Sequence, residues 1–306
     1  MSVVTIHSDE ALELIDPAAE LTEVASGFVF VEGPIWHPVD QQLVFSDVLG
    51  DARWTYSPDA GAERIAHPTN MANGMTLDRD LNLIICEHAT SVVARRRTDG
   101  TREILASHYD GRELNSPNDV CVRRDGSIYF TDPSFGRTRD FGVEREQELD
   151  FQGVYRISPD DRSLALAVDR SAYEQPNGLC FSVDESMLYI NDSARALIDV
   201  YDVDQDGTLR NRRCFKDGIG NGVVAEGVPD GMKCDERGNI WVTGPGGLWI
   251  IDPAGRHIAT IHVPQQTANH AWGGPDRRNL YIQASTSVYM IPTHVGPHRE
   301  SFMTSH

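Results

Sequence analysis

A repeated hairpin pattern constrains the fold of this 306-residue chain more than any other feature. Its clearest copy, residues 115–132, reads as two short β-strands around an Asp125-Gly126 turn. Five further copies, from the best matched to the weakest, lie at 74–87, 231–244, 178–192, 33–47 and 271–284. Repeats at intervals of 40 to 59 residues are typical of propeller blades.

Each repeat also carries a second, outer hairpin with turn composition, such as Ser158 to Asp161 or Asp204 to Gly207. Every repeat therefore supplies about four antiparallel strands, and the sequence predicts an all-β, six-bladed β-propeller. A closed ring leaves no open edge if its first and last blades share strands, so we expect the N-terminal strand at 19–25 to close it. We predict a single domain over residues 1–306, with blades from about 25 to 292 and a loose C-terminal tail.

Composition excludes several classes of partner. The formal net charge of −19 opposes binding to nucleic acid or to an anionic membrane surface. No window approaches ~20 consecutive apolar residues, so no transmembrane segment is expected. The N-terminus lacks the basic and then apolar run of a signal peptide, which favours a cytoplasmic location. The five cysteines lack metal-type spacing, and the recurrence of Cys121, Cys180 and Cys234 at nearly the same repeat position indicates small buried strand residues.

One polar residue stands immediately before the first strand of every repeat: Glu32, Asn73, Asn118, Asn177, Asp230 and His270. Equivalent positions of a ring converge on its axis, so these side chains should meet there. Such residues also serve as turn formers, which is the simpler interpretation of any one of them. As a set, they offer carboxylate and carboxamide oxygens that suit a hard divalent cation. Two carboxylates forced together would repel unless a cation lies between them.

The third blade contains an insertion of about twenty residues at 133–152. By strand count, it joins the second strand of the blade to the third and emerges on the same face as Asn118. It could be a lid over the axial site or a solvated surface excursion, and the sequence does not decide between these.

Several short motifs resemble one protein family: Glu32-Gly-Pro, Ser116-Pro-Asn-Asp, Gln175-Pro-Asn-Gly and Val228-Pro-Asp-Gly. The chain is similar to the SMP-30 (regucalcin), gluconolactonase and luciferin-regenerating-enzyme family, and most similar to its bacterial gluconolactonase-type members. The resemblance implies a six-bladed propeller and hydrolysis of a small-molecule sugar lactone, an aldono- or uronolactone. It also implies a divalent metal held by Glu32, Asn177 and Asp230, with Asn118 close enough to bind it as well.

Lactone opening needs a polarised carbonyl and an activated water. We expect one divalent cation, with Ca²⁺ the first choice and Zn²⁺, Mn²⁺, Mg²⁺ or Fe²⁺ as alternatives. Asp230 is the expected catalytic residue that activates or orients the water, and Asn118 and Asn177 would stabilise the oxyanion. The expected substrate-binding residues are Asn73, His88, Asp132, Ser134, Phe135 and His270. His88 and His270 could instead be structural histidines.

Two other functions fit the same fold. The first is hydrolysis of a phosphotriester or of a different ester or lactone, since related phosphotriesterases use a similar set of ligands. The second is a non-catalytic, calcium-binding propeller. Regucalcins carry an arginine where this chain has Ser116, so their substrate is not carried over. A serine hydrolase is disfavoured because no Gly-x-Ser-x-Gly motif occurs.

Overall fold

The computed structural model describes residues 2–303, and within them the strands form six small antiparallel sheets arranged in a ring. Two strands precede the first blade: β1 (Val4–Ile6) and β2 (Thr22–Ser26). Blade 1 comprises β3 (Val31–His37), β4 (Gln42–Asp47), β5 (Ala52–Ser57) and β6 (Gly61–Ala66). Blade 2 comprises β7 (Ala72–Leu77), β8 (Leu83–Glu87), β9 (Val92–Arg96) and β10 (Arg102–Ala106).

The third and fourth blades follow a small separate hairpin formed by β11 (His108–Tyr109) and β12 (Arg112–Glu113). Blade 3 comprises β13 (Val120–Val122), β14 (Ile128–Asp132), β15 (Gly153–Ile157) and β16 (Leu164–Leu166). Blade 4 comprises β17 (Pro176–Phe181), β18 (Met187–Asp192), β19 (Leu197–Val203) and β20 (Leu209–Lys216).

The last two blades complete the ring. Blade 5 comprises β21 (Met232–Cys234), β22 (Ile240–Gly244), β23 (Gly247–Ile251) and β24 (His257–His262). Blade 6 comprises β25 (Thr267–Gly273), β26 (Asn279–Ala284) and β27 (Ser287–Pro292). Short 3₁₀ helices occur at Asp9–Glu13, Phe135–Arg137, Val224–Glu226 and Ser301–Met303. No helix of residues 2–303 is long and apolar enough to cross a membrane.

The predicted fold class and ring closure are confirmed. Strand β2 pairs antiparallel with β27, so a segment from before blade 1 supplies the outermost strand of blade 6. Strand β1 adds a fifth strand to blade 5 by pairing with β24, which the sequence did not indicate. The Asp125-Gly126 turn also forms as predicted, with Gly126 in the left-handed region at φ +92°.

The hydrophobic core consists of layers between neighbouring blades. One layer, for example, joins Ile84 and Cys86 of blade 2 to Val120 and Phe130 of blade 3. The first strand of each blade contacts the first strand of the next, and β25 contacts β3 to complete the circle. The six inner strands therefore surround one axis, which positions the residues at their starts.

The C-terminal segment closes one end of this axis. An isolated bridge joins Pro297 to Asp235, and His298 N donates to the carbonyl of Cys234 at 3.0 Å. Phe302 is only 1 % exposed and packs in the core layer between blades 1 and 2. The expectation of a loose tail is therefore corrected for residues 293–303, because apolar side chains anchor them. Residues 304–306 of that predicted tail lie outside the described residues.

Replacing the anchor tests this docking. Phe302→Ala should lower the free energy of unfolding by roughly 3 kcal/mol, because it leaves a cavity in a packed layer. Urea denaturation measures the change. Val183→Ala, at a side chain that is 38 % exposed, is the control and should stay within about 0.5 kcal/mol of the parent. A loss below about 1 kcal/mol for Phe302→Ala would contradict the docked segment.

Candidate active site

A cavity opens at the end of the axis opposite the C-terminal segment. It encloses about 590 Å³ of empty space, part of it open to solvent. Residues from all six blades and from the 133–152 insertion contribute to it. The residues that line it are Phe30, Glu32, Val48, Asn73, His88, Asn118, Phe135, Phe141, Asn177, Val224, Val228, Asp230, Gln266, Thr267 and Ala268.

The structure brings five of the six predicted axial residues together in this cavity, namely Glu32, Asn73, Asn118, Asn177 and Asp230. Each stands at the start of, or just before, the inner strand of its blade. A glycine follows each of them except Asn118, and it permits the close approach of the next blade. Gly74 N, for instance, donates to the carbonyl of Asn118 at 2.8 Å, and a Cβ at Gly74 would collide with that backbone.

The sixth axial position is occupied by Ala268 rather than by His270. Gly231 N donates to the Ala268 carbonyl at 2.8 Å, just as Gly74 N donates to Asn118. His270 lies two residues further along β25, is fully buried and does not line the cavity. The repeat alignment failed here because the hairpin between Thr267 and Ala284 holds two residues more than the corresponding hairpin of blade 2.

The two axial carboxylates stand in an unfavourable electrostatic environment. Glu32 is 3 % exposed, and its Oε2 accepts hydrogen bonds from Asn269 Nδ2 at 2.9 Å and from Gly33 N. Burial, and then the charge of Asp119, raises the pKa of Glu32 to about 7. Burial, and then the charge of Glu32, raises the pKa of Asp230 well above its ordinary value. Without a compensating cation, the pair would hold a proton near neutral pH.

Two carboxamides present their oxygen atoms without a partner. Asn177 Nδ2 donates to Ser193 Oγ at 3.1 Å, and Asn73 Nδ2 lies 3.1 Å from His88 Nε2. Within residues 2–303, Oδ1 of each asparagine is buried and has no hydrogen-bond partner. A buried acceptor without a partner is costly, so these two atoms are suited to a ligand that the chain does not supply.

His88 connects the axial ring to the 133–152 insertion. Its Nδ1 lies 2.8 Å from the Phe141 carbonyl, which can only accept, so Nδ1 carries the proton and Nε2 accepts from Asn73. Burial lowers the pKa of His88 to about 4, which keeps the ring neutral. The insertion is pinned nearby, since Arg145 Nη2 donates to the His88 carbonyl at 2.7 Å. It therefore packs against the cavity, to which it contributes Phe135 and Phe141.

The arrangement fits a divalent cation. No group of three or more His, Cys, Asp or Glu side chains that could hold a metal occurs in residues 2–303. The predicted set contains only two carboxylates, and its remaining ligands would be carboxamide oxygens. Two carboxylates whose pKa values are both raised, together with unpartnered carboxamide oxygens in the same cavity, suit a hard cation with oxygen ligands.

Comparison with known proteins agrees with this architecture. Residues 30–286 match the family described as SMP-30/Gluconolactonase/LRE-like region. The chain belongs to this family. It is 31 % identical to a gluconolactonase of Zymomonas mobilis over 95 % of this chain and 86 % of that protein. It is 27 % identical to the pentonolactonase XacC of Haloferax volcanii, over 82 % of this chain and 80 % of that protein.

A solved structure extends the likeness to three dimensions. The gluconolactonase XC5397 of Xanthomonas campestris is 30 % identical to this member of the SMP-30/gluconolactonase family, with a TM-score of 0.85. The similarity covers 95 % of this chain and 94 % of that one. The family resemblance seen in the sequence motifs is therefore confirmed.

Two of the predicted substrate-binding residues of this family member, Asp132 and Ser134, make structural hydrogen bonds outside the cavity. Asp132 is fully buried and accepts from the backbone N–H groups of Asn115 and Ser116, both at 2.8 Å. Asp47 and Asp192 likewise accept hydrogen bonds from backbone N–H groups just before the inner strands of their own blades. Ser134 Oγ accepts from Gln175 Nε2 at 2.8 Å. Neither Asp132 nor Ser134 lines the cavity, whereas Asn73, His88 and Phe135 do.

A second layer of polar residues lies beneath the axial ring, and sequence reasoning missed it. Lys233 Nζ donates to Asn269 Oδ1 at 3.4 Å and lies 4.0 Å from Asp119 Oδ2. Asn269 in turn donates to Glu32, so the layer fixes one axial carboxylate. Burial lowers the pKa of Lys233, but the charges of Asp119 and Glu300 outweigh it and keep the ammonium charged. The sequence signal was present, since Asp119 and Asn269 replace the glycine that follows the other axial positions.

Removal of the Lys233 ammonium group tests whether this polar layer stabilises the fold. Lys233→Met leaves Asp119 buried without a counter-charge and should lower the free energy of unfolding by about 2 kcal/mol or more. Denaturation of Lys233→Met, Asp119→Asn and the double variant gives the coupling between the two residues.

The double variant should recover part of the loss, because Asp119 is then neutral, although Glu300 still lacks the charge of Lys233. Lys216→Met, on the outer strand β20, is the control and should have little effect. A double variant as unstable as the sum of the two single changes would show that the two charges are not coupled.

Proposed function

We propose that this protein is a lactonase that opens a sugar lactone to the free acid with the help of one divalent cation. The gluconolactonase and pentonolactonase relatives support the class of reaction. The observation that carries the proposal for this chain is the convergence of two carboxylates and three buried carboxamides on one cavity at the propeller axis.

Four residues would hold the cation: Glu32, Asn118, Asn177 and Asp230. Their oxygen atoms and mixed charge favour Ca²⁺, with Zn²⁺, Mn²⁺, Mg²⁺ and Fe²⁺ as alternatives. When bound, such a cation supplies Lewis-acid polarisation of a carbonyl group and offsets the repulsion between the two carboxylates.

Asp230 is the proposed general base. Its carboxylate is partly exposed in the cavity, and a hydrogen bond from Asn177 favours its ionised form. It takes a proton from water as the water oxygen bonds to the lactone carbonyl carbon. When the ring C–O bond breaks, the same proton passes to the departing ring oxygen, which becomes a hydroxyl. The base is thereby restored.

The asparagine side chains have separate proposed roles in stabilising the oxyanion and in binding the substrate. Asn177 Nδ2 is committed to Ser193, so Asn118 is the better candidate to donate a hydrogen bond to the developing oxyanion. His88 fixes the amide of Asn73 so that Asn73 Oδ1 faces the cavity, where it can accept from a substrate hydroxyl. Phe135 would contact the carbon skeleton of the substrate. His270, Asp132 and Ser134 have no direct role in this proposal because they do not line the cavity.

Asp230→Asn tests the proposed base. Because it keeps the shape but cannot take the proton, kcat/KM for sugar lactones in a pH-indicator assay should fall by at least ~100-fold. The melting temperature should not fall, since the change removes a repulsion with Glu32. Asp217→Asn, at an exposed position, is the matched control and should retain full activity. If Asp230→Asn keeps more than about a tenth of the parent rate, Asp230 is not the base.

Glu32→Gln tests the cation site independently of turnover. Calorimetric titration of the cation-free protein with Ca²⁺ and Mn²⁺ should show affinity weakened by about tenfold or more, because one of the two charged ligands is lost. Glu63→Gln, on the exposed strand β6, should bind as the parent does. Unchanged affinity in Glu32→Gln, or full activity of the parent after chelation, would contradict the metal assignment.

A further inference from the structure

None of the described residues that line the cavity has a positively charged side chain. Among the described residues that line it, Glu32 and Asp230 are the only acidic ones, and there is no lysine or arginine. A divalent cation would balance these two carboxylates and leave no surplus positive charge. A substrate that carries its own carboxylate or phosphate would therefore be buried without a partner, at a high cost in free energy.

The outer part of the cavity is an aromatic wall made of Phe30, Phe135 and Phe141. The ring of Phe141 lies edge-on to both neighbours, with centroids 5.6 Å from Phe30 and 5.9 Å from Phe135. All three rings are half-buried, so each has surface left to cover. Val48, Val224 and Val228 extend the apolar lining.

Polar groups are instead concentrated at the axial floor. The unpartnered Oδ1 atoms of Asn73 and Asn177 lie there, together with Asn118 and the two carboxylates. Gln266, near the rim, already donates from Nε2 to the Val224 carbonyl at 2.6 Å. A lactone would thus place its carbonyl and adjacent hydroxyls at the floor, and its far end against the phenyl rings.

We propose that this lactonase selects neutral lactones whose end distal to the carbonyl is apolar, such as a terminal methyl group in place of a hydroxymethyl group. This inference rests on the lactonase function proposed above. A terminal hydroxyl against the aromatic wall gives up part of its hydrogen bonding to water and gains no partner from the three phenyl rings. The expected penalty is roughly tenfold in kcat/KM, and an anionic terminus should cost considerably more.

Sets of three lactones that differ only at C6 test the selectivity. One set is 6-deoxy-L-galactono-, L-galactono- and L-galactaro-1,4-lactone, and the corresponding set has the D-gluco configuration. With the cation-loaded enzyme, kcat/KM should fall in the order methyl, hydroxymethyl, carboxylate for each configuration that is turned over. The first step should be about tenfold and the second larger.

Two variants of Phe141 locate the source of the preference. Phe141→Leu keeps an apolar side chain and should keep the methyl preference. Phe141→Gln supplies hydrogen-bonding groups and should bring the ratio of methyl to hydroxymethyl substrates close to one. Both variants retain the backbone carbonyl that binds His88, so the axial ring is unaffected.

The outcomes separate this inference from the function on which it rests. Hydrolysis of no lactone in either set would overturn the proposed lactonase function itself. Hydrolysis with equal or greater kcat/KM for the hydroxymethyl or carboxylate members would leave the lactonase intact and overturn the selectivity. The same ratio in Phe141→Leu and Phe141→Gln would show that the aromatic wall does not select the substrate.

Discussion

The placement of two carboxylates, Glu32 and Asp230, in one cavity at the axis of a closed ring is the constraint on which the rest of the site depends. Burial and then the charge of Asp119 raise the pKa of Glu32, and burial and then the charge of Glu32 raise the pKa of Asp230. The fold tolerates this because the six inner strands are held from outside by packed layers between blades and by the closing strand β2. A ring closed in this way cannot open to separate the two charges. Compensation must therefore come from neighbouring polar groups and from a bound proton or the cation proposed above.

The structure supplies part of that compensation from below. Lys233 lies under the axial ring between Asp119 and Glu300, and it orients Asn269 toward Glu32. Glu300 belongs to the C-terminal segment, which lines the same small cavity as Lys233. Charges of alternating sign thus continue along the axis from the cavity toward the docked C-terminus. From above, the insertion that carries Phe141 fixes the tautomer of His88 and, through it, the amide of Asn73.

The sequence predicted those features that repeat, and it failed where a feature depends on contacts between distant segments. Five axial residues were found because a glycine or another close-packing residue follows each of them at a fixed repeat position. Blade 6 was displaced by two residues because its hairpin is longer, so His270 took the place that belongs to Ala268. Asp132 looked like a pocket residue, but a carboxylate at that repeat position caps the backbone before an inner strand. The docking of Phe302 depends on packing across the ring, and no local pattern in the sequence encodes it. The layer around Lys233 left only an indirect signal, the replacement of the repeat glycine by Asp119 and Asn269.

Anomalous diffraction from crystals of this protein soaked with Mn²⁺ is the most direct test of the axial cation site. The predicted result is one strong peak in the axial cavity, about 2.0–2.6 Å from carboxylate oxygens of Glu32 and Asp230 and from Asn177 Oδ1. The peak should be absent from crystals of Glu32→Gln soaked at the same concentration. A peak elsewhere on the surface, with the axial cavity empty in the parent protein, would contradict the account.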